Sequence, residues 1–255
     1  MKQPMPVLRE PVIKRRGGRK LKIVLLLLFI VVLSVLFFNS SISEVSSVNI
    51  EGERFISQDV IRKTAGISAG DAFFGFTESS IEKKLSTNPA IEHAEVTKKF
   101  PGDVRIHVQE YAAVAYELSA KGEIMAILSN GTSVSATNGD FVVDKPLLSG
   151  WKQKDPVKTA LSKQLAAITA QQLSDLSEIR PDPTKAYPDR IRIYTRTRFE
   201  VITAVSVLAE KLETLNAVTE TQEPGKVTML LADTYEPYIT DQAENMESIE
   251  KESTQ

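Results

Sequence analysis

The sequence predicts an α+β protein held at a membrane by one N-terminal helix. Three observations carry this expectation. Residues 21–38 are almost unbroken hydrocarbon. Residues 45–110 set alternating apolar strands around two short capped helices, in the order β-α-α-β-β. Residues 112–232 continue as a second mixed α/β domain, and an acidic stretch closes the chain.

The apolar stretch reads LKIVLLLLFIVVLSVLFF, interrupted only by Lys22 and Ser34. Eighteen helical residues rise about 27 Å, close to the thickness of a bilayer core. A helix on the surface of a soluble domain would keep a polar face. Residues 21–42 are therefore expected to form a transmembrane anchor, and residues 1–20 a basic leader. Lys2, Arg9, Lys14, Arg15, Arg16, Arg19, Lys20 and Lys22 stand against one acid, Glu10, giving +7 ahead of the hydrocarbon. The whole chain carries −2, so residues 39–255 carry −9. Cationic flanks stay in the cytoplasm, which predicts a cytoplasmic N-terminus and an extracytoplasmic bulk (single-pass, type II). The competing reading is a removable signal peptide. Its apolar core would be shorter and end at a small-x-small site, and Asn39-Ser40-Ser41-Ile42-Ser43 offers only Ser-x-Ser.

Composition narrows the class further. The chain has no cysteine, so its exterior part folds without disulfides. An acidic exterior argues against nucleic acid as a partner. Asn39-Ser-Ser and Asn130-Gly-Thr fit glycosylation acceptors, although the second is better read as a hairpin turn.

The first folded unit is expected over residues 43–111. Val48 and Ile50 alternate in a strand. Ser57 is an N-cap flanked by Ile56 and Ile61, a hydrophobic staple, and Gly66 closes that helix. Thr77 caps a second helix with the Phe76–Ile81 staple, which Asn88-Pro89 ends. Residues 91–99 form a strand, Pro101-Gly102-Asp103 a turn, and Val104, Ile106 and Val108 the returning strand. Phe73, Phe74 and Phe76 are assigned to core and loop anchoring.

The residues of this unit resemble a known family. VNIEG, then NPAIEHAEVTKKFPGDVRIHVQE and VAY, are similar to the POTRA domain of the FtsQ/DivIB bacterial cell-division proteins. The matching positions are Asn88, Pro89, Ile91, Ala94, Val96, Phe100, Pro101, Val104, Ile106, Val108, Glu110, Val114 and Ala115. Tyr111 and Ala113 depart from the family's usual Arg and Pro. The order of basic leader, span, POTRA unit and second exterior domain covers nearly the whole chain, and the acidic tail brings the Gram-positive DivIB branch nearest.

The second domain is expected over residues 112–232. Strands are placed at 114–118, 124–128, around Val134 and at 141–143, with PLLSG at 146–150 resembling a segment of the same family. Asp155-Pro156 starts a helix with Val157, Leu161, Leu165 and Ile168 on one face. A strand at Leu176 and Ile179 leads into a Pro-rich loop whose Asp182 and Asp189 are read as solvated. Ile191 and Ile193 pair with Phe199 and Val201, and Val205, Leu208, Leu212 and Leu215 mark another helix. Lys226–Leu231 is expected to be the final strand, with residues 233–255 a disordered acidic tail.

No HExxH, GxSxG or phosphate-binding loop is present, and two histidines without cysteine make a poor transition-metal set. His93, His107 and the acid pairs are read as solvated, so no catalytic, cofactor or metal residues are assigned. A binding protein fits better. A sheet ending in a C-terminal strand leaves an edge that another chain can pair with. The resemblance implies FtsL-type and FtsB/DivIC-type bitopic division proteins as partners, with the septal peptidoglycan synthase beyond them, and location at the division septum. On this sequence the implied contact residues are Lys226, Val227, Thr228, Met229, Leu230 and Leu231, with Tyr235 adjacent. Arg190 and Arg192, within a basic cluster with Arg196 and Arg198, are a second candidate surface. The function implied is a non-enzymatic, membrane-anchored scaffold of septum formation. The alternatives are a POTRA-bearing envelope assembly or transport factor, and an envelope enzyme acting on peptidoglycan.

Overall fold

A computed structural model describes residues 18–136 and 144–238. Most of the basic leader, the strand expected at 141–143 and the acidic stretch after Tyr238 lie outside the described residues.

Helix α1 spans Gly18–Phe38 and buries none of its residues against the rest of the chain. With a mean hydropathy of 3.1 over its most apolar window, it is long and apolar enough to cross a membrane. Its last turn is closed by Asn39, whose side-chain amide donates to the Val35 carbonyl at 3.0 Å. The helix therefore stops at Phe38, and a short 3-10 turn, Ser41–Ser43, follows where the anchor was expected to continue to Ile42.

The first unit has the expected order: β1 (Ser47–Glu51), α2 (Gln58–Ala65), α3 (Glu78–Leu85), β2 (Ile91–Lys99) and β3 (Asp103–Glu110). The sheet order is β1-β3-β2, with β1 parallel and β2 antiparallel to β3. Val104, Ile106 and Val108 alternate onto the face that meets Ile61, Ala65, Ile81 and Leu85, all essentially buried. The N-caps form as the residue types dictate. Ser57 Oγ accepts from the Val60 amide at 3.4 Å and Thr77 Oγ1 from the Ser80 amide at 3.2 Å. Glu110 does a separate job, its carboxylate accepting from the amides of Arg54, Phe55 and Ile56 and pinning the β1–α2 loop to the end of β3.

Only Tyr111 and Ala112 separate β3 from β4 (Ala113–Leu118), the first strand of a nine-stranded sheet. Strands β5 (Ile124–Leu128), β6 (Ser133–Ser135), β7 (Leu147–Leu148), β8 (Leu176–Pro181), β9 (Arg190–Thr195), β10 (Glu200–Ala204), β11 (Gly225–Met229) and β12 (Asp233–Pro237) complete it. Their spatial order is β12-β11-β10-β9-β8-β7-β4-β5-β6. Tyr116, Ala126 and Leu128 join the apolar cluster of the first unit, so that cluster runs across the junction between the two units. Asn130, in the β5–β6 hairpin, donates to the Pro89 carbonyl at 2.7 Å across the same junction.

Helices α4 (Pro156–Ala166) and α6 (Leu208–Thr221) pack Leu161, Leu165, Leu208, Leu212 and Leu215 into the second cluster, against Ile179, Ile191, Ile193, Val201, Val227 and Met229. Asp155 caps α4 with Pro156 at its first position. A short helix α5 (Ala170–Asp175), not expected from the sequence, is opened by a Thr169–Gln172 capping box.

Two expectations change in this sheet. Among the described residues the last strand is β12, not Lys226–Leu231, so the stretch expected to be disordered from residue 233 begins with five residues of ladder. The Pro-loop acids are also not simply solvated. Asp182 bridges two arginines, and Asp189 Oδ2 accepts from the Ser206 amide at 2.9 Å, ahead of α6.

Candidate partner-binding edge

Strand β11 lies between β10, to which it is parallel, and β12, to which it is antiparallel. Lys226, Val227, Thr228 and Met229 are therefore paired on both sides, and their backbone is not free for another chain. Val227 and Met229 are buried and face α6, whereas Lys226 and Thr228 are half-exposed on the opposite face. Leu230 and Leu231 lie in the turn to β12, and Leu231 is 92% exposed at its tip. The edge moves outward by one strand because Asp233 and Tyr235 are held by Lys211 and the Glu223 carbonyl, contacts that the acidic composition does not report.

The register fixes which groups of β12 face outward. In an antiparallel ladder, hydrogen-bonded and non-hydrogen-bonded pairs alternate. The Tyr238 amide donates to the Pro224 carbonyl at 3.1 Å. Continuing the alternation, Glu236 and Thr234 turn their backbone groups toward Lys226 and Thr228. Asp233, Tyr235 and Pro237 then turn theirs away from the sheet. Two amides and three carbonyls are presented outward, and Pro237 ends the donor row. Among the described residues no strand pairs with this side.

Side chains hold the strand in place while its backbone stays open. Tyr235 lies opposite Val227, packs on the second core and donates its hydroxyl to the Glu223 carbonyl at 2.6 Å. Asp233 accepts from Lys211 Nζ of α6 at 2.9 Å. Gly225 completes the fit: a Cβ there would collide with the Glu236 carbonyl and stand 2.8 Å from the Tyr235 ring.

One edge of the first unit, β2, is treated differently. On β2, the outward amides of Val96 and Lys98 are taken by Glu82 at 3.1 Å and Glu78 at 2.8 Å, both from α3. That edge is closed by its own helix, as negative charge at an exposed strand would favour.

Beside β12, the face of the sheet away from α6 is polar. Cross-strand neighbours form a row of Glu236, Lys226, Glu200, Tyr194 and Glu178. Arg190 and Arg192 join this face already engaged. Asp182 accepts from both, at 2.9 and 3.2 Å, and Glu200 accepts from Arg192 at 2.7 Å. The expected basic cluster is thus largely neutralised within the chain. Arg196 is also tied down, donating to the Ser174 carbonyl at 2.6 Å. Burial pushes the Tyr238 phenol above its ordinary value, and the Glu200 charge adds to this. Glu178 is lowered overall. Burial opposes the charge, but hydrogen bonds from Ser149 and Arg180 outweigh it.

The histidines do not face one another. His93 stands across from Gln109, and His107 lies between Glu51 and Glu95. Among the described residues, no group of three or more His, Asp or Glu side chains is placed to hold a metal ion.

Comparison with known proteins places this architecture. Residues 43–111 match the family described as POTRA domain, FtsQ-type. Cell division protein DivIB of Paenibacillus polymyxa (strain E681) is 46% identical over 251 residues, 98% of this chain and 98% of that protein. Cell division protein DivIB of Geobacillus kaustophilus (strain HTA426) is 31% identical over 206 residues, 80% of this chain and 78% of that protein. A solved extracytoplasmic domain of DivIB from Geobacillus stearothermophilus is 29% identical and covers 43% of this chain and 92% of its own, with a TM-score of 0.38. The family match, the DivIB relatives and the N-terminal apolar helix define a membrane-anchored, POTRA-bearing bacterial cell-division protein. The chain belongs to the FtsQ/DivIB family.

Proposed function

We propose that this protein is a non-enzymatic scaffold of septum formation whose β12 edge receives a strand from another membrane-anchored division protein. The partners on this reading are bitopic proteins of the FtsL and FtsB/DivIC types, with the septal peptidoglycan synthase recruited through them. The observation that carries the reading is the open outer side of β12. It presents the backbone of Asp233, Tyr235 and Pro237 beside an exposed Leu231, while the β2 edge is closed by Glu78 and Glu82. Backbone pairing supplies affinity, and the neighbouring polar row with Lys226 and Glu236 supplies selectivity. The +7 leader supports a cytoplasmic N-terminus and an extracytoplasmic bulk. Anchoring confines both partners to one surface, so modest interfaces suffice.

The test is substitution on the outer register. Tyr235→Pro removes an outward amide without touching a β11–β12 hydrogen bond, whereas Tyr235→Ala loses the same ring and keeps that amide. Co-purification of partners with the full chain should be lost with Tyr235→Pro and kept with Tyr235→Ala, at equal folded content by circular dichroism. Equal capture by both variants would overturn the edge-pairing reading.

A further inference from the structure

The outer end of α1 and the POTRA unit meet through phenylalanines. The Phe74 ring lies 6.0 Å from Phe37 and 5.9 Å from Phe38, the last two residues of α1. Phe73 and Phe100 stand 5.2 and 6.4 Å from Phe74. Phe73 is buried in the core, as expected, but Phe74 and Phe100 are 53% and 58% exposed. Ile42, four residues past the end of α1, is exposed too. Packing within the unit does not require either ring to face outward, and clustered exposed aromatics mark an interaction surface.

The connection between helix and domain has no slack. The Phe73 amide donates to the Ser43 carbonyl at 2.8 Å, and the Val45 amide to the Asp71 carbonyl at 2.7 Å. The Gly70 amide returns to the Val45 carbonyl at 2.9 Å, and the Ser46 amide reaches the Gly102 carbonyl at 2.7 Å. Gly102 permits this approach with φ at +77°, since a Cβ there would stand 2.8 Å from the Ser46 amide nitrogen. Lys98 braces the same loop from inside, its ammonium 4.5 and 4.3 Å from the Phe73 and Phe76 ring centres. The loop at 70–76 and the turn at 100–102 are therefore held against the end of the span.

Depth follows from length. The apolar residues of α1, Leu21 to Phe38, rise about 27 Å, close to the hydrocarbon core of a bilayer. Phe37 and Phe38 then lie at its boundary, and rings in contact with them share that depth. Exposed phenylalanine rings at this depth bury their apolar area at the headgroup–acyl boundary. We propose that Phe74 and Phe100 insert into the lipid–water interface, so that the POTRA unit lies against the bilayer from which it emerges. This rests on α1 crossing the membrane.

The chain has one tryptophan, Trp151, in the second domain. The full protein, and its Phe74→Trp and Phe100→Trp variants, would be reconstituted into phosphatidylglycerol vesicles with and without brominated acyl chains. The added tryptophan emission should be lost in brominated lipid, while wild-type emission stays equal in both. Both positions are exposed, so an indole is tolerated. A wild-type readout is broadening of the Phe74 and Phe100 amide signals by a headgroup-spin-labelled lipid. Protein that floats with the vesicles but shows neither quenching nor broadening at 74 and 100 overturns the proposal alone. Protein that fails to float overturns the membrane-span reading and the proposal with it.

Discussion

Val227 stands directly across the β11–β12 ladder from Tyr235, in a pair whose backbone groups do not bond to each other. This one relationship sends the Tyr235 side chain toward α6 and its amide out of the sheet. The strand can therefore be fixed by its side chains and remain unpaired along its backbone.

Gly225 tests how closely β12 must seat. Replacing it with Ala sets a methyl group against the Glu236 carbonyl and the Tyr235 ring. Overpacking of this kind costs about 1–3 kcal/mol. Gly225→Ala should lower the denaturation midpoint and raise exchange at the Thr234 and Glu236 amides. An unchanged midpoint with unchanged exchange would mean that β12 is not held where the ladder places it.

Much of this fold is legible in the sequence because local signals agree with tertiary ones. Ser57, Thr77 and Asp155 are cap residues at the heads of apolar-periodic segments, and each caps the helix expected. Val104, Ile106 and Val108 bury on the face their alternation predicts. Strand β12 is not legible, because Asp233-Thr234-Tyr235-Glu236-Pro237 gains its stability from long-range partners, Lys211 and the Glu223 carbonyl. Asp182 and Asp189 escape for the same reason. Asp182 meets Arg190 across the base of the β8–β9 hairpin and Asp189 meets Ser206 17 residues on, and neither pairing falls at a helical spacing. The closed β2 edge needs Glu78 and Glu82 brought beside Lys98 and Val96, which no local pattern reports.

Lys158 is a buried cation with one carboxylate partner. Its ammonium donates to Glu117 Oε2 at 2.8 Å, and the two side chains are 5% and 18% exposed. Removing one partner of a buried pair leaves an uncompensated charge and costs about 3–5 kcal/mol. Glu117→Ala should lower stability by that order in chemical denaturation. The joint change Glu117→Leu with Lys158→Met should recover most of it. A single variant as stable as wild type would show that the pair is solvated.

Asp189 sets an acid-side dependence. Burial raises its pKa, but the Ser206 hydroxyl and amide outweigh burial and hold the carboxyl below the ordinary value of 3.8. A pKa lowered on folding stabilises the folded state above the unfolded value and loses that contribution as pH falls through the folded one. The stability gap between wild type and Asp189→Asn should stay constant from neutral pH to about pH 5 and close below the ordinary aspartate range. A gap that persists unchanged at pH 2–3 would assign the effect to shape rather than charge.

The central claim is that another chain pairs with the outer side of β12. Amide hydrogen exchange of the full chain, followed residue by residue as the exterior segment of an FtsB/DivIC-type partner is added, tests it most directly. New protection is expected at Asp233 and Tyr235, with Thr234 and Glu236 already slow before the partner is added. Protection confined to the POTRA unit, with Asp233 and Tyr235 unchanged at saturating partner, would contradict it.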